Sequence, residues 1–326
     1  MMRDAGAVCA VGEALVVMIP EAAGRLQEVP RFSPQIAGAE FNTAVGLARL
    51  GVPASFAGAV GADPFGEKVL RAARAEGLET ACIERPAGGQ TGVFFKQWSG
   101  LAGDPSVFYY RSASAMATGL WDAAALCGRL ADGDWRWLHT TGITGMVGPG
   151  ARAAWLSALR AARAGGAAVS FDVNVRLKMA PAERWRELLA AALPLADWFL
   201  AGDGEARLLF GADDAAAVER MARESGFGGR GAIVKEGERG ATASVAGELT
   251  HVDAWPVRRV VDTVGAGDGF NAGWIAGMLS GRPLADAMRL GALVGAHAVT
   301  AVGDYEAYPY REEVEALLDG TGAVDR

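Results

Sequence analysis

Short runs rich in β-branched and aromatic residues alternate along most of this chain with Ala-, Leu- and Arg-rich stretches of helical period. That alternation restricts the fold to a mostly parallel sheet with helices on both faces. The middle of the sequence shows it most plainly. Residues 137–143 read as a strand, 151–164 as a helix closed by Gly165 and Gly166, and 167–173 as the next strand. The unit repeats with a helix at 183–193, a strand at 198–201, a helix at 215–225 and a strand at 232–235. Ligands of such sheets bind beyond the carboxyl ends of the strands, so the residues just after each strand become the candidates. Two stretches depart from the rhythm: residues 21–36, and residues 89–111, where 91–98 and 107–110 look like antiparallel strands around the Gly/Pro turn at 100–105. They predict a small sheet on the edge of the main domain, acting as a lid. With no fixed-period repeat and no linker of boundary length, residues 1–326 read as one α/β domain carrying that lid.

Composition narrows the function. A chain of 326 residues with 51% hydrophobic and 21% charged side chains buries a core without disulfides or a structural metal, and is neither disordered nor of low complexity. Its 31 basic against 38 acidic residues leave a net charge of −7, which argues against a nucleic-acid partner. Cys9, Cys82 and Cys127 are scattered and odd in number, which suits a reducing compartment. The apolar residues 5–20 are interrupted by Glu13, so neither a secretory segment nor a membrane span is expected and a cytoplasmic location is. His139, His251 and His297 stand alone, without metal-ligand spacing, and no zinc site is expected. Trp135, Trp137, Trp185 and Trp198 fall in or beside expected elements, where core packing is their default role.

The chemistry concentrates in Asp262-Thr263-Val264-Gly265-Ala266-Gly267-Asp268-Gly269-Phe270, which runs straight into a helix. Phe270, Trp274, Ile275, Met278 and Leu279 share one face at helical spacing, and Gly281 is placed to end it. Glycines at a helix N-terminus offer unpaired amides and a positive dipole end to an anion. The segment is neither a dinucleotide fingerprint nor a Walker loop, because no third glycine and no Lys-Ser/Thr fall where those need them. Asp268 would repel the anion that the glycines attract. That conflict suggests a catalytic role, since a carboxylate beside a transferring phosphoryl group accepts the proton of the attacking hydroxyl. The bland alternative is an N-capping aspartate in a Gly-rich turn.

This segment resembles the second signature of the ribokinase-like (PfkB) family of sugar kinases, D-T-x-G-A-G-D-x-F, without a gap. The first signature of that family is similar to the stretch from Ala37-Gly38-Ala39-Glu40-Phe41-Asn42 through Leu47-Ala48-Arg49-Leu50-Gly51, and Gly58 to Gly66 resembles its G-x-V-G-x-D-x-x-G turn. The resemblance covers nearly the whole chain. It implies a three-layer ribokinase-like sandwich, ATP and Mg²⁺ as co-substrate and cofactor, and a homodimer or a multiple of it. It places Gly38 and Asn42 against the sugar, makes Gly265, Ala266 and Gly267 the anion hole, and makes Asp268 the base.

Within the family the chain is most similar to kinases of 2-keto-3-deoxygluconate, through Phe108 to Ala115, Phe171 to Lys178 and Gly303 to Tyr310. A sugar acid brings a carboxylate that needs a cation, and Arg176, just past a strand end, is placed to supply one. The resemblance implies that Tyr109 and Arg111 bind the keto-acid end with Asn174 and Arg176, that Phe94 stands beside them on the lid, and that Asp304 contacts hydroxyls near the reacting end. Lys235, Gly237 and Gly240 match a K-x-G-x-x-G segment near the ATP phosphates and ribose, while Gly295, Ala296 and Val299 would lie near the adenine. Three departures stand out. Gly202 replaces the asparagine of an Asn-x-x-Glu segment, leaving Glu205 to act on the metal through water; Ala37 replaces a glycine; and Phe94 replaces an aromatic hydroxyl. The expected reaction is phosphorylation of the C6 hydroxyl of 2-keto-3-deoxygluconate. The alternatives are another sugar kinase of the family, acting on keto-deoxygalactonate, a keto-deoxy inositol-pathway acid, fructose or ribose, and a sugar-acid sensor without turnover.

Overall fold

The structure, a computed structural model, describes residues 6–98 and 106–318, and the expected turn at 100–105 lies outside them. Among the described residues nine strands form the main sheet, in the spatial order Glu248–Val252, Ala241–Val245, Gly231–Lys235, Trp198–Gly202, Ala168–Asp172, Trp135–Thr141, Gly6–Val11, Ala54–Ala59 and Ile83–Glu84. From Gly231–Lys235 to Ile83–Glu84 every pairing is parallel, and an antiparallel hairpin extends the other edge. Parallel strands covered on both faces are apolar throughout, and Trp198-Phe199-Leu200-Ala201 and Ala54–Ala59 are accordingly buried along their length.

Period-two alternation divides the core between the two faces of the sheet. Val8, Ala10, Trp198 and Leu200 pack toward the helices Ala39–Arg49, Ala266–Leu279 and Leu284–Ala298, whereas Cys9, Val11, Phe199 and Ala201 pack toward Pro149–Ala164, Ala182–Ala192 and Ala215–Glu224. This is the three-layer arrangement expected. Trp135, Trp137, Trp185 and Trp198 are all buried in it. Cys9 and Cys82 are buried free thiols, Cys127 is a half-buried one, and no helix among the described residues is long and apolar enough to cross a membrane.

Three elements differ from the sequence reading. The strand expected over 137–143 stops at Thr141, whose Oγ accepts from Ile143 N at 3.2 Å and caps a short helix, Gly142–Met146. The helix Ala266–Leu279 is buried from Gly269 to Gly277 rather than along one face. Its small residues admit the helix Leu284–Ala298 so closely that a Cβ on Gly273 would lie 2.6 Å from Leu290 O. Finally, Leu15–Pro20, which in sequence is only part of an apolar N-terminal run, is a strand of a second, four-stranded sheet ordered Phe32–Ala37, Leu15–Pro20, Val93–Gln97 and Ser106–Tyr110.

Candidate active site

The second sheet and the carboxyl ends of the main strands enclose a cavity of about 470 Å³. Its walls contain Gly38, Asn42, Phe94, Tyr109, Arg111, Asn174, Arg176, Glu205, Lys235, Gly265, Gly267, Asp268 and Asp304, so residues separated by most of the chain's length meet in one space. A second cavity of about 790 Å³ is lined by Gly237, Gly240, Trp255, Val260, Ala266, Phe270, Gly295, Ala296 and Val299. The two spaces share Lys235, Thr263 and Gly267. A molecule in one can therefore touch a molecule in the other at the head of the helix Ala266–Leu279.

Local backbone chemistry builds that junction. Gly265 caps the helix at φ 85°, and a Cβ there would fall 1.9 Å from Asp304 O, so glycine is required by both conformation and contact. Ala266 N donates to Thr263 O at 3.3 Å, whereas the Gly267 and Asp268 amides of the first turn have no carbonyl within the helix to bond, which leaves them for an anion. Asp268 projects from this turn. Its Oδ2 accepts from Asn42 Nδ2 at 2.8 Å, and its backbone carbonyl accepts from Thr43 Oγ at 3.2 Å, which fixes the carboxyl against the helix Ala39–Arg49. The carboxyl is part-exposed to the cavity yet surrounded by protein, and burial pushes its pKa up to about 7 against the opposing pull of Asn42 and the Lys235 ammonium. A carboxyl so poised both takes and holds a proton near neutrality. Gly38, at φ 147°, lets the chain enter the Asn42 helix within touching distance of Glu13 O.

The strand ends supply the rest. After Ala168–Asp172 the chain turns through Asn174 in the left-handed region, φ 47°, a conformation asparagine tolerates, and this leads to an exposed Arg176 whose Nη1 donates to Val175 O at 3.1 Å. Glu205 holds that loop: its Oε1 accepts from Val175 N at 2.6 Å and its Oε2 from Gly202 N at 2.8 Å. Burial, reinforced by the neighbouring Asp172, raises the Glu205 pKa. Arg111 lies one residue beyond the strand Ser106–Tyr110 and pairs with Glu13, which also accepts from Ser114 Oγ at 2.5 Å. The Arg111 Nε is buried without a partner. Phe94 and Tyr109 pair across their strands with ring centroids 5.3 Å apart, forming an aromatic wall.

Residues 6–311 match the pfkB family carbohydrate kinase. The chain belongs to that family. It is similar to the 2-dehydro-3-deoxygluconokinase of Bacillus subtilis (strain 168), at 32% identity over 320 residues covering 96% of this chain and 95% of the relative. It is similar to a fructokinase of Klebsiella pneumoniae, at 31% identity over 321 residues covering 96% and 99%. Among solved structures, an Escherichia coli ribokinase-type protein in complex with ATP and Mg²⁺ superposes with a TM-score of 0.84, at 28% identity over 97% of this chain and 99% of the other.

This pfkB kinase carries site residues that sequence reasoning missed. Asp172 pairs with Lys235 at 2.5 Å and accepts from Asn271 Nδ2 at 2.7 Å through Oδ2, leaving a buried Oδ1 without a partner. Its place at a strand end is the signal that marks it. Glu40 accepts from Thr141 N, Thr141 Oγ and Thr144 Oγ at 2.7–2.9 Å and anchors the Asn42 helix to the main sheet. Lys96, fully buried in the strand Val93–Gln97, reaches Asp304 at 2.7 Å and Asp262 at 3.1 Å. Outside the lining of both cavities, His139 is buried against Ser170 Oγ at 2.8 Å, and burial lowers its pKa to about 4. No cluster of three metal-binding side chains occurs among the described residues.

Proposed function

We propose that this pfkB carbohydrate kinase transfers the γ-phosphoryl group of ATP to the C6 hydroxyl of 2-keto-3-deoxygluconate, yielding the 6-phosphate and ADP. One observation carries the substrate assignment: the guanidiniums of Arg111 and Arg176 line the same space as the Asp268 carboxyl. A neutral sugar has no use for two cations, whereas a sugar acid needs a bidentate partner for its carboxylate. Among the described residues Arg176 carries only a backbone hydrogen bond, and Arg111 keeps a buried Nε–H unspent. With the acid end held there and beside Tyr109 and Asn174, the far hydroxyls reach Asn42, Asp304 and Asp268.

Ionised Asp268 takes the C6 hydroxyl proton as the oxygen–phosphorus bond forms and the bond to the ADP oxygen breaks. The amides of Gly265 and Gly267 at the head of the helix stabilise the charge on the moving phosphoryl group, with Ala266, whose own amide bonds Thr263 O at 3.3 Å, shaping the turn between them. Lys235, on the wall of both cavities, attracts the phosphates. The second cavity receives the nucleotide, with Gly237 and Gly240 near phosphates and ribose and Gly295, Ala296 and Val299 near the base. The residues present also fit Mg²⁺: Asp172 Oδ1 is buried without a partner and Glu205 stands beside it, an all-oxygen donor set of the kind this ion takes largely through water. When bound, Mg²⁺ would supply charge neutralisation to the transferring phosphoryl group.

The four-stranded sheet acts as the lid of this site and pairs with a second copy of the chain. Its outer face shows Phe32, Phe95, Phe108 and Tyr110, the last 66% exposed, a density of aromatics that a solvated surface does not need. Gel filtration with light scattering reads the oligomer: a dimer is expected, and a Tyr110→Glu chain should dissociate.

A neutral ketose is the second reading. Glu13 already neutralises Arg111, and Phe94 brings no hydroxyl to the acid end. A coupled ADP-release assay of the purified protein with ATP, Mg²⁺ and a panel of 2-keto-3-deoxygluconate, its galactonate epimer, fructose and ribose separates the two. A kcat/KM for fructose equal to or above that for both acids overturns the assignment.

A further inference from the structure

Lys96 is the one charged residue of the strand Val93–Gln97, and it faces inward, on the same side as Phe94. Its side chain is 0% exposed. Nζ lies 2.7 Å from Asp304 Oδ1 and 3.1 Å from Asp262 Oδ2. Each carboxylate then leads into the site by its second oxygen. Asp262 Oδ1 accepts from Val264 N at 3.1 Å, at the start of the loop that delivers Gly265 and Asp268. Asp304 Oδ2 accepts from Asn42 Nδ2 at 3.4 Å, the same amide nitrogen that holds Asp268 at 2.8 Å.

One ammonium, carried on the second sheet, therefore joins both halves of the reacting end. We propose that Lys96 is a positioning residue for phosphoryl transfer: it orients Asp304 toward the sugar hydroxyls and pins the loop beginning at Asp262, making sugar binding depend on the seating of the four-stranded sheet. The physical need is clear. Two buried carboxylates a few ångströms apart and close to Asp268 repel each other unless a cation stands between them. Burial alone would strip the Lys96 proton, but Asp304 and Asp262 outweigh it and hold the ammonium pKa above its ordinary value. A lysine buried purely for stability would have no reason to share its two partners with the base-bearing loop and the sugar wall. Neither Asp262 nor Asp304 lines the nucleotide cavity, although Thr263 and Gly267 of the pinned loop do, so the influence of Lys96 should fall far more heavily on the sugar than on ATP.

The inference rests on the sugar-kinase reading of the site, and the test uses whichever sugar the wild-type enzyme turns over best, so a wrong substrate assignment leaves it standing. Lys96→Met should lower kcat/KM for the sugar by ~50-fold or more, while the dissociation constant for ATP, measured calorimetrically without sugar, stays within about twofold. Lys96→Arg should recover at least ~10-fold of that loss, because a guanidinium can span the same two carboxylates. If Lys96→Met fails to fold, Lys96→Met with Asp262→Asn preserves the net charge of the trio and still leaves Asp304 without its cation; the same split between sugar and ATP is expected. Equal weakening of both substrates in step with a lowered melting temperature, no recovery by arginine, or an unchanged sugar kcat/KM would each overturn the proposal.

Discussion

The two cavities that meet at Gly267 are built from opposite materials. The smaller is walled by charge, with Asp172, Lys235, Glu205, Arg111, Arg176, Asp268 and Asp304 all at its surface. The larger is walled by Trp255, Val257, Val260, Phe270 and Val299 with glycines between them. They touch at Thr263, Gly267 and Lys235. Charges in a confined space act at fixed angles and carry chemistry and selectivity, whereas an apolar slot accepts a flat base by shape and area. Substitutions in the first cavity should change turnover and sugar choice, and substitutions in the second should change nucleotide affinity alone.

The sharpest way to break that contrast is Asp268→Asn. The amide oxygen can still accept from Asn42, so the pocket keeps its shape while losing the proton acceptor, and kcat should fall by ~10³-fold with KM for both substrates within about threefold. Steady-state kinetics showing unchanged turnover would remove the base from its role. The same carboxyl shapes the pH profile. Because its folded pKa is raised to about 7, wild-type kcat/KM should drop nearly tenfold per unit below that value, and a flat profile from pH 5 to 8 would contradict it. The stability sign follows. Between the ordinary 3.8 and about 7 the folded chain binds a proton that the unfolded chain has released, so this group's contribution to stability falls as pH rises through that window. Asp268→Asn should therefore raise the melting temperature by a few degrees at pH 8 and by about nothing at pH 4.

Particular residues show why some of this is legible in sequence and some is not. The parallel strands announce themselves because Trp198-Phe199-Leu200-Ala201 and its neighbours are apolar throughout and flanked by helices of clear period. Leu15–Pro20 escapes because Leu-Val-Val-Met-Ile-Pro is equally apolar without alternating, and it lies in the second sheet buried on both sides. Period alone makes the helix after Asp268 one-faced, since it cannot show that Gly273 and Gly277 seat a neighbouring helix against a second side. Asp268 and Asn42 each sit in a motif, and they meet although 226 residues apart. Lys96 sits in none. A lone lysine in a strand reads as a solvated position, and its partners lie 166 and 208 residues away, beyond the reach of any local pattern.

A smaller effect tests the selectivity half of the comparison. Arg176→Ala removes an exposed guanidinium that makes no buried ion pair, so folding should be untouched. A charge-assisted contact to a carboxylate contributes ~2 kcal/mol, about 30-fold, so kcat/KM for the sugar acid should fall by that factor while that for fructose changes less than about threefold. Equal losses on both would show that Arg176 serves the phosphates rather than the acid.

The mildest change belongs to the apolar cavity. Trp255 is half-buried at its wall and does not line the sugar cavity. Trp255→Ala takes away a flat surface against which a purine can lie, and losing ~1 kcal/mol of such contact should raise KM for ATP by about fivefold. Because the proposed site holds the phosphates at Gly267 and Lys235 rather than by the base, kcat at saturating ATP and KM for the sugar should stay at wild-type values. A fall in kcat in this variant would mean that base and phosphate are positioned together, and the division between a cavity for chemistry and a cavity for affinity would have to be redrawn at Phe270, which lines the larger cavity on the same helix as Asp268.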